Sequence, residues 1–400
     1  MKKTKFKVIE GGLSTHDNRK KTFVSAYVTD TRLMGVLAVY AHWQLDTAAV
    51  WSEDPDIHQF FYIDCEEAGL ETYQSVRGIN AEQILMTEQA LIGGLGAGKI
   101  QLTEMQFKDL MCIYRDFNKE HGLPMPDGQE EYGFIFDGAD EITPEIKAGL
   151  MKLICTEIVS DYQVVNYFLM RCFGRDYETA AYLSDGDFPL DIYDSYRCAT
   201  FCKNVIDKEK TFSDGAVSYM CESLIEMDGQ YETVISKVAV KDLKVVDFCH
   251  CSGFHVSAAE AAMMLAKPEY VTVYEVLLSD EDADNIAGEL SFDLNTVMSI
   301  HDSGRLFMSF KKNNDHVNDR IFRLSNDVSG IYFLTEYGQL IVAAYTLSDI
   351  RLLESKLRTS LLAPFLIPAA KYEFKEPVLF EFIQSGFDDF DDFLDFIKDE

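Results

Sequence analysis

The succession of hydrophobic periods constrains this chain more than any other feature: extended segments come first, helical ones fill the middle, and extended ones return with a hairpin among them. Residues 22–28, the apolar run 33–41 and residues 59–63 are rich in β-branched and aromatic side chains. After Gly78 the period changes. Asn80 can cap a helix over 81–92 that stops at Gly93-Gly94, and Thr103 with Gln106 forms a capping box. That box opens a second helix with Phe107, Leu110, Met111, Tyr114 and Phe117 on one side. Thr143-Pro144-Glu145 starts a third, striped by Ile146, Leu150, Leu153, Ile154 and Ile158. Helix is also expected over 162–173 and 195–206. From about Tyr231 strands return, with period-two alternation over 270–277 and 305–310. Residues 331–335 and 340–345, joined by Glu336-Tyr337-Gly338-Gln339, read as an antiparallel hairpin. Helices 256–267, opened by Ser257 and Glu260, and 349–361 lie among these strands.

A doubly wound parallel sheet needs regular strand–helix alternation, which is missing here. The expected class is α+β, with mixed or antiparallel sheets and a helical middle segment. The expected units are a β-rich region 1–80, a mainly helical region 81–230, an α+β domain 231–385 and an acidic amphipathic tail 386–400.

Acid dominates the charge: 67 Asp plus Glu against 36 Lys plus Arg give a net −31 over 400 residues. Such a field repels phosphate backbones and anionic bilayers and attracts basic partners, so direct nucleic-acid binding is disfavoured. A protein that imitates a phosphate rail carries the same surplus. The apolar runs 33–43 and 361–370, the latter broken by Pro364 and Pro368, fall short of a bilayer crossing, so no membrane association is expected. The basic start Met1-Lys2-Lys3-Thr4-Lys5 leads to no apolar h-region. Nine cysteines, an odd number without the spacing of a stapled secreted domain, fit reduced thiols and a cytoplasmic location.

Residues 93–99, Gly-Gly-Leu-Gly-Ala-Gly-Lys, have the spacing of a phosphate-binding loop in which Gly96, Gly98 and Lys99 cradle phosphate. Ile100 stands where Ser or Thr would reach Mg²⁺, and the preceding segment is helical in character. Downstream, 131–136 reads as a short apolar strand ending in the carboxylates of Asp137, Asp140 and Glu141. Carboxylates so placed can act as general bases. The pentapeptide 137–141 resembles the active-site segment of the ribose-5-phosphate isomerase A family, in which a strand ends in two catalytic aspartates and follows a glycine-rich phosphate loop. That resemblance covers residues 93–149. It implies proton transfer by Asp137 and Asp140, a phosphate loop at Gly96 to Lys99, and an echo of the family's lysine-glycine run at Lys147. The family's loop continues with Ser-Thr where this chain has Lys99-Ile100.

Cys198 and Cys202 would share a helix face if 198–202 is helical, and Cys249 with Cys251 could complete a tetrahedral structural zinc site. Buried packing is the other reading of these thiols, with no cofactor at all. At the C-terminus Phe387, Phe390, Leu394 and Ile397 form one helical stripe with Phe393 beside it, and aspartates fill the other side. The segment either folds back or docks into a groove with a basic rim. Two functions stay open. The preferred one is an acidic interaction or regulatory protein that binds a basic partner, in one version as a nucleic-acid mimic. The alternative is an isomerase-like enzyme acting on a small phosphorylated substrate through the glycine loop and Asp137/Asp140.

Overall fold

A computed structural model of the chain describes residues 20–45, 55–91, 97–138, 142–193, 195, 196, 199–277, 286, 288–290, 296–311 and 318–398. Their strands form three sheets in which every strand pairing is antiparallel. Helices cover the sheet faces, giving the α+β class expected from the sequence. No helix among the described residues is long and apolar enough to cross a membrane.

The first sheet is a meander of β1 (Lys21–Thr29), β2 (Val36–Leu45), β3 (Asp56–Asp64) and β4 (Gly69–Arg77). Helix α1 (Ala81–Leu91) then carries the chain back, so that β5 (Lys99–Leu102) pairs with β1 at the far edge. Both faces are covered, which explains why β2 reads as a nearly unbroken apolar run rather than an alternating one. Tyr27, Ala38, Phe60 and Val76 meet Ile84 and Leu91 of α1. On the other face Val39, Trp43, Phe61 and Ile63 meet Phe107, Leu110 and Met111 of α2 (Glu104–His121). The capping box of Thr103 and Gln106 starts α2, and Gly122 ends it in the left-handed conformation at φ 67°.

The segment expected as a strand at 131–136 is helical instead, with α3 (Gln129–Tyr132) followed by the 3₁₀ turn Gly133–Phe136. Tyr132 and Ile135, three residues apart, both enter the core beneath α2. A single 3₁₀-like turn achieves this, whereas a strand would send them to opposite faces. Three more helices follow: α4 (Pro144–Ile154), α5 (Asp161–Phe173) and α6 (Tyr177–Tyr182). Thr143, Ser160 and Asp176 cap them through their side chains. Helix α5 is buried continuously from Gln163 to Phe173. One side packs on the second sheet and the other meets Leu33 of the first unit.

That second sheet is the meander β6 (Thr200–Thr211), β7 (Val217–Met227), β8 (Gln230–Lys241) and β9 (Lys244–Val256). Its first strand overturns the expected helix over 195–206 and brings the end of the helical region well forward of residue 230. Pairing with β7 along the whole of β6, with Asn204 and Ile206 buried two apart, outweighs a weak helical spacing. Helix α7 (Ala258–Leu265), with both hydrogen bonds of the Ser257/Glu260 capping box, leads to the third sheet.

The third sheet begins with β10 (Glu269–Val276), β11 (Thr296–His301) and β12 (Gly304–Phe310). Strand β13 (Ile321–Arg323) leaves to pair with β6, which ties the second sheet to the third. The sheet is completed by β14 (Val328–Thr335), β15 (Gln339–Ala344) and β16 (Leu366–Phe374), in the order β11-β12-β14-β15-β10-β16. Helix α8 (Leu347–Thr359) covers one face; α9 (Leu379–Ser385) and α10 (Phe390–Lys398) cover the other.

The expected partner-binding stripe is spent in this last contact. Phe390, Phe393 and Leu394 are buried against Val271, Phe333 and Phe382, and Phe387 and Ile397 are half-buried in the same cluster. Burying three such side chains contributes about 1.5–3 kcal/mol each, more than repulsion among the neighbouring aspartates removes. The sheet also caps both helices. Glu269 accepts from the Val378 and Leu379 N–H groups at 2.7 and 2.9 Å, and Gln339 accepts from Phe390 N–H at 3.1 Å while donating to Asp389 at 2.7 Å.

Candidate functional site

Four charged side chains from distant parts of the chain meet where the first sheet adjoins the helical middle. Arg32 lies in the 3₁₀ turn Arg32–Met34 between β1 and β2, and Glu66 lies in the turn between β3 and β4. Arg171 ends the buried helix α5, and Asp176 caps α6. Arg32 and Asp176, each 3% exposed, form a two-pronged pair in which Nη2 donates to Oδ1 at 2.9 Å and Nη1 to Oδ2. Arg171, 2% exposed, stands with Nη1 3.0 Å from Glu66 Oε1 and 3.7 Å from Asp176 Oδ2, and its Nη2 donates to the Met34 carbonyl at 3.1 Å.

Two glycines make the room. A Cβ on Gly35, where φ is +87°, would stand 1.9 Å from Arg171 Nη1, and one on Gly174 would stand 1.6 Å from Glu66 Oε1. Any side chain at these positions would push the ion pairs apart.

The two carboxyls of this network titrate differently. Burial pushes Asp176 up, but Arg32, Arg171 and Thr179 together outweigh burial and hold it below the usual carboxylate range. Glu66 is pushed up to about 6, first by burial, which Arg171 only partly offsets, and then by Asp176 and Asp64. A carboxyl raised by burial in a cleft is a recognised sign of a working site.

Glu66, His121, Arg175 and Tyr177 line two adjoining clefts of about 450 and 740 Å³. Their walls carry seven carboxylates: Asp64, Glu66 and Glu67 from the β3–β4 turn, Asp116 and Glu120 from α2, and Asp176 and Glu178 around the start of α6. Against them stand four Lys or Arg side chains: Arg32, Lys147, Arg171 and Arg175. Within the walls Lys147 pairs with Glu178 at 3.3 Å, and Arg32 and Arg171 face Asp176 and Glu66. The groove therefore keeps the sign of the whole chain, over an apolar floor that includes Met34, Met170, Phe173 and Phe201.

The glycine loop and the aspartates lie elsewhere. Lys99 opens strand β5 rather than a helix, pairs with Glu88 of α1, and sits 4.8 Å from the Tyr27 ring, on the α1 side of the first sheet. The Gly98 N–H donates to Asp30 Oδ1 at 2.8 Å, so a carboxylate occupies the position a phosphate would take. Asp137 follows the 3₁₀ turn that packs on the opposite, α2-covered side. Gly96 and Asp140 lie outside the described residues. Lys99 and Asp137 thus share no pocket.

The three described cysteines of the expected zinc set do not converge either. Cys198 lies outside the described residues. Cys202 is on a strand, buried beside Leu224 and Ala261. Two strands separate β6 from β9, which holds Cys249 and Cys251, and three strand spacings amount to about 14 Å. Among the described residues no group of three or more His, Cys, Asp or Glu is placed to hold a metal ion. His42 is satisfied, with its Nε2 2.7 Å from Asp56 Oδ1 and its ring stacked 4.4 Å from that of His58.

No protein-family model matches the chain, and neither a curated protein nor a solved structure is found similar to it. The sequence reading missed the groove. One signal was available: Arg171 interrupts the run from Tyr167 to Phe173, otherwise free of charge and amide groups, where only a paired cation is tolerated.

Proposed function

We propose that this protein binds a basic partner and that the partner's cationic side chains enter the groove between the first sheet and helices α2 and α6. The observation that carries this reading is the excess of carboxylate around a cleft in which burial pushes Glu66 up to about 6. Ionised Glu66 is short of compensation, and an arriving guanidinium or ammonium supplies it. We place the protein in the cytoplasm on the strength of its cysteines, eight of which are free thiols. The alternative of a phosphorylated substrate draws no comparable support, because Lys99 and Asp137 lie on opposite sides of the first sheet.

The test is fluorescence anisotropy with a fluorescein-labelled Arg/Lys-rich dodecapeptide. One variant neutralises the groove (Glu66→Gln, Glu67→Gln, Glu120→Gln), and a control neutralises three exposed carboxylates near the C-terminal helices (Glu373→Gln, Glu376→Gln, Glu381→Gln). Both lose the same net charge. The groove variant should bind about ten-fold or more weaker, and the control within about two-fold of the parent. Equal losses would reduce the negative field to a general coat and reject the groove.

A further inference from the structure

Strand β9 carries an exposed pair of thiols that the fold leaves without a structural task. Cys65, Cys112, Cys172, Cys202 and Cys221 are buried and Cys155 is half-buried, whereas Cys249 and Cys251 are exposed. The register of β9 explains their proximity. Ser236 pairs with His250 and Ile235 with Ser252, so Cys251 is the extra residue of a β-bulge. His250 points to the inner side, where its ring meets Tyr193 and Tyr196. Cys249 lies across from Lys237, on the outer side. Lys237 itself is held by Glu209 at 2.9 Å, and Cys249 and Cys251, two apart on the strand, are both exposed.

We propose that Cys249 and Cys251 form a two-coordinate site for a soft monovalent cation, Cu⁺. Thiolate sulfur prefers soft ions, and among the described cysteines only these two are exposed. His250 faces away, and His255 is engaged by Glu232 at 3.2 Å. A four-ligand zinc site is therefore incomplete here, whereas a d¹⁰ monovalent ion is satisfied by two sulfurs. Binding replaces two S–H bonds by two S–Cu bonds and releases two protons, with no change of oxidation state.

The test is anaerobic titration of fully reduced protein into the coloured Cu⁺–bicinchoninate complex, read by loss of absorbance. The parent should withdraw one Cu⁺ per chain. Cys249→Ser and Cys251→Ser should each abolish that capture, and Cys202→Ser should leave it intact. Both serine substitutions fall at exposed strand positions, and far-ultraviolet circular dichroism verifies that the variants fold. Failure of the parent to compete would overturn the proposal. So would capture that survives either single substitution, which would assign the copper to other thiols, and so would its loss in Cys202→Ser.

Discussion

Replacing Glu66 by Gln should stabilise the protein at neutral pH and leave it unchanged in acid. Glutamine has the shape of the protonated carboxyl and cannot ionise. The folded value of about 6 stands above the ordinary 4.5, and that difference corresponds to about 2 kcal/mol. The sign follows from linkage. A group whose value is raised on folding contributes its stability below the unfolded value, and loses it as pH rises from about 4.5 through 6. At about pH 7.5 the parent carries the whole cost of holding an incompletely compensated carboxylate, and the Gln variant carries none. Urea unfolding followed by circular dichroism should give the variant an advantage of about 2 kcal/mol at pH 7.5, shrinking to nothing near pH 4. A variant less stable than the parent at pH 7.5, or an advantage that persists undiminished in acid, would refute the reasoning. Glu66 is 28% exposed, so water reaches it and the figure is an upper value.

Other substitutions test the packing around the groove and the tail. Asp176→Asn keeps a side chain able to cap α6 but leaves Arg32 buried without its counter-charge, and should cost about 3–5 kcal/mol in the same assay. A loss below about 1 kcal/mol would contradict a desolvated pair. Because Asp176 is held below the ordinary range, its contribution should persist down to about pH 4 and fall only as pH drops through the folded value. Phe390→Ala removes a fully buried ring packed edge-on or tilted among Tyr372, Phe382 and Phe393, and should cost about 3–5 kcal/mol. A segment standing free for a partner would lose far less than 1 kcal/mol on the same change.

Local signals with a mechanism were legible in the sequence. The capping boxes at Thr103 and Ser257, proline at the start of α4, and the hairpin around Gly338 all lie where capping and turn chemistry put them. The misread segments were those decided by distant neighbours. Thr200 to Ile206 is a strand because β7 and β13 lie on either side of it, and 129–136 is helical because two side chains must enter one core. The tail's amphipathic stripe was visible, yet only the third sheet reveals that the stripe belongs inside. The groove was the least legible part. Arg32, Glu66, Arg171 and Asp176 are spread over 145 positions, and no spacing rule links them. What joins them is the packing of α5 between two sheets, together with the vacancies left by Gly35 and Gly174.

Amide hydrogen exchange of the full chain with and without the Arg/Lys-rich dodecapeptide addresses the central claim most directly, since it maps contact without altering any residue. Binding at the groove predicts slowed exchange in the β3–β4 turn around Glu66, in the last turns of α2, and across Arg171 to Glu178, with the C-terminal helices unaffected. Slowed exchange confined to residues 386–398, or spread evenly over the acidic surface, would contradict it.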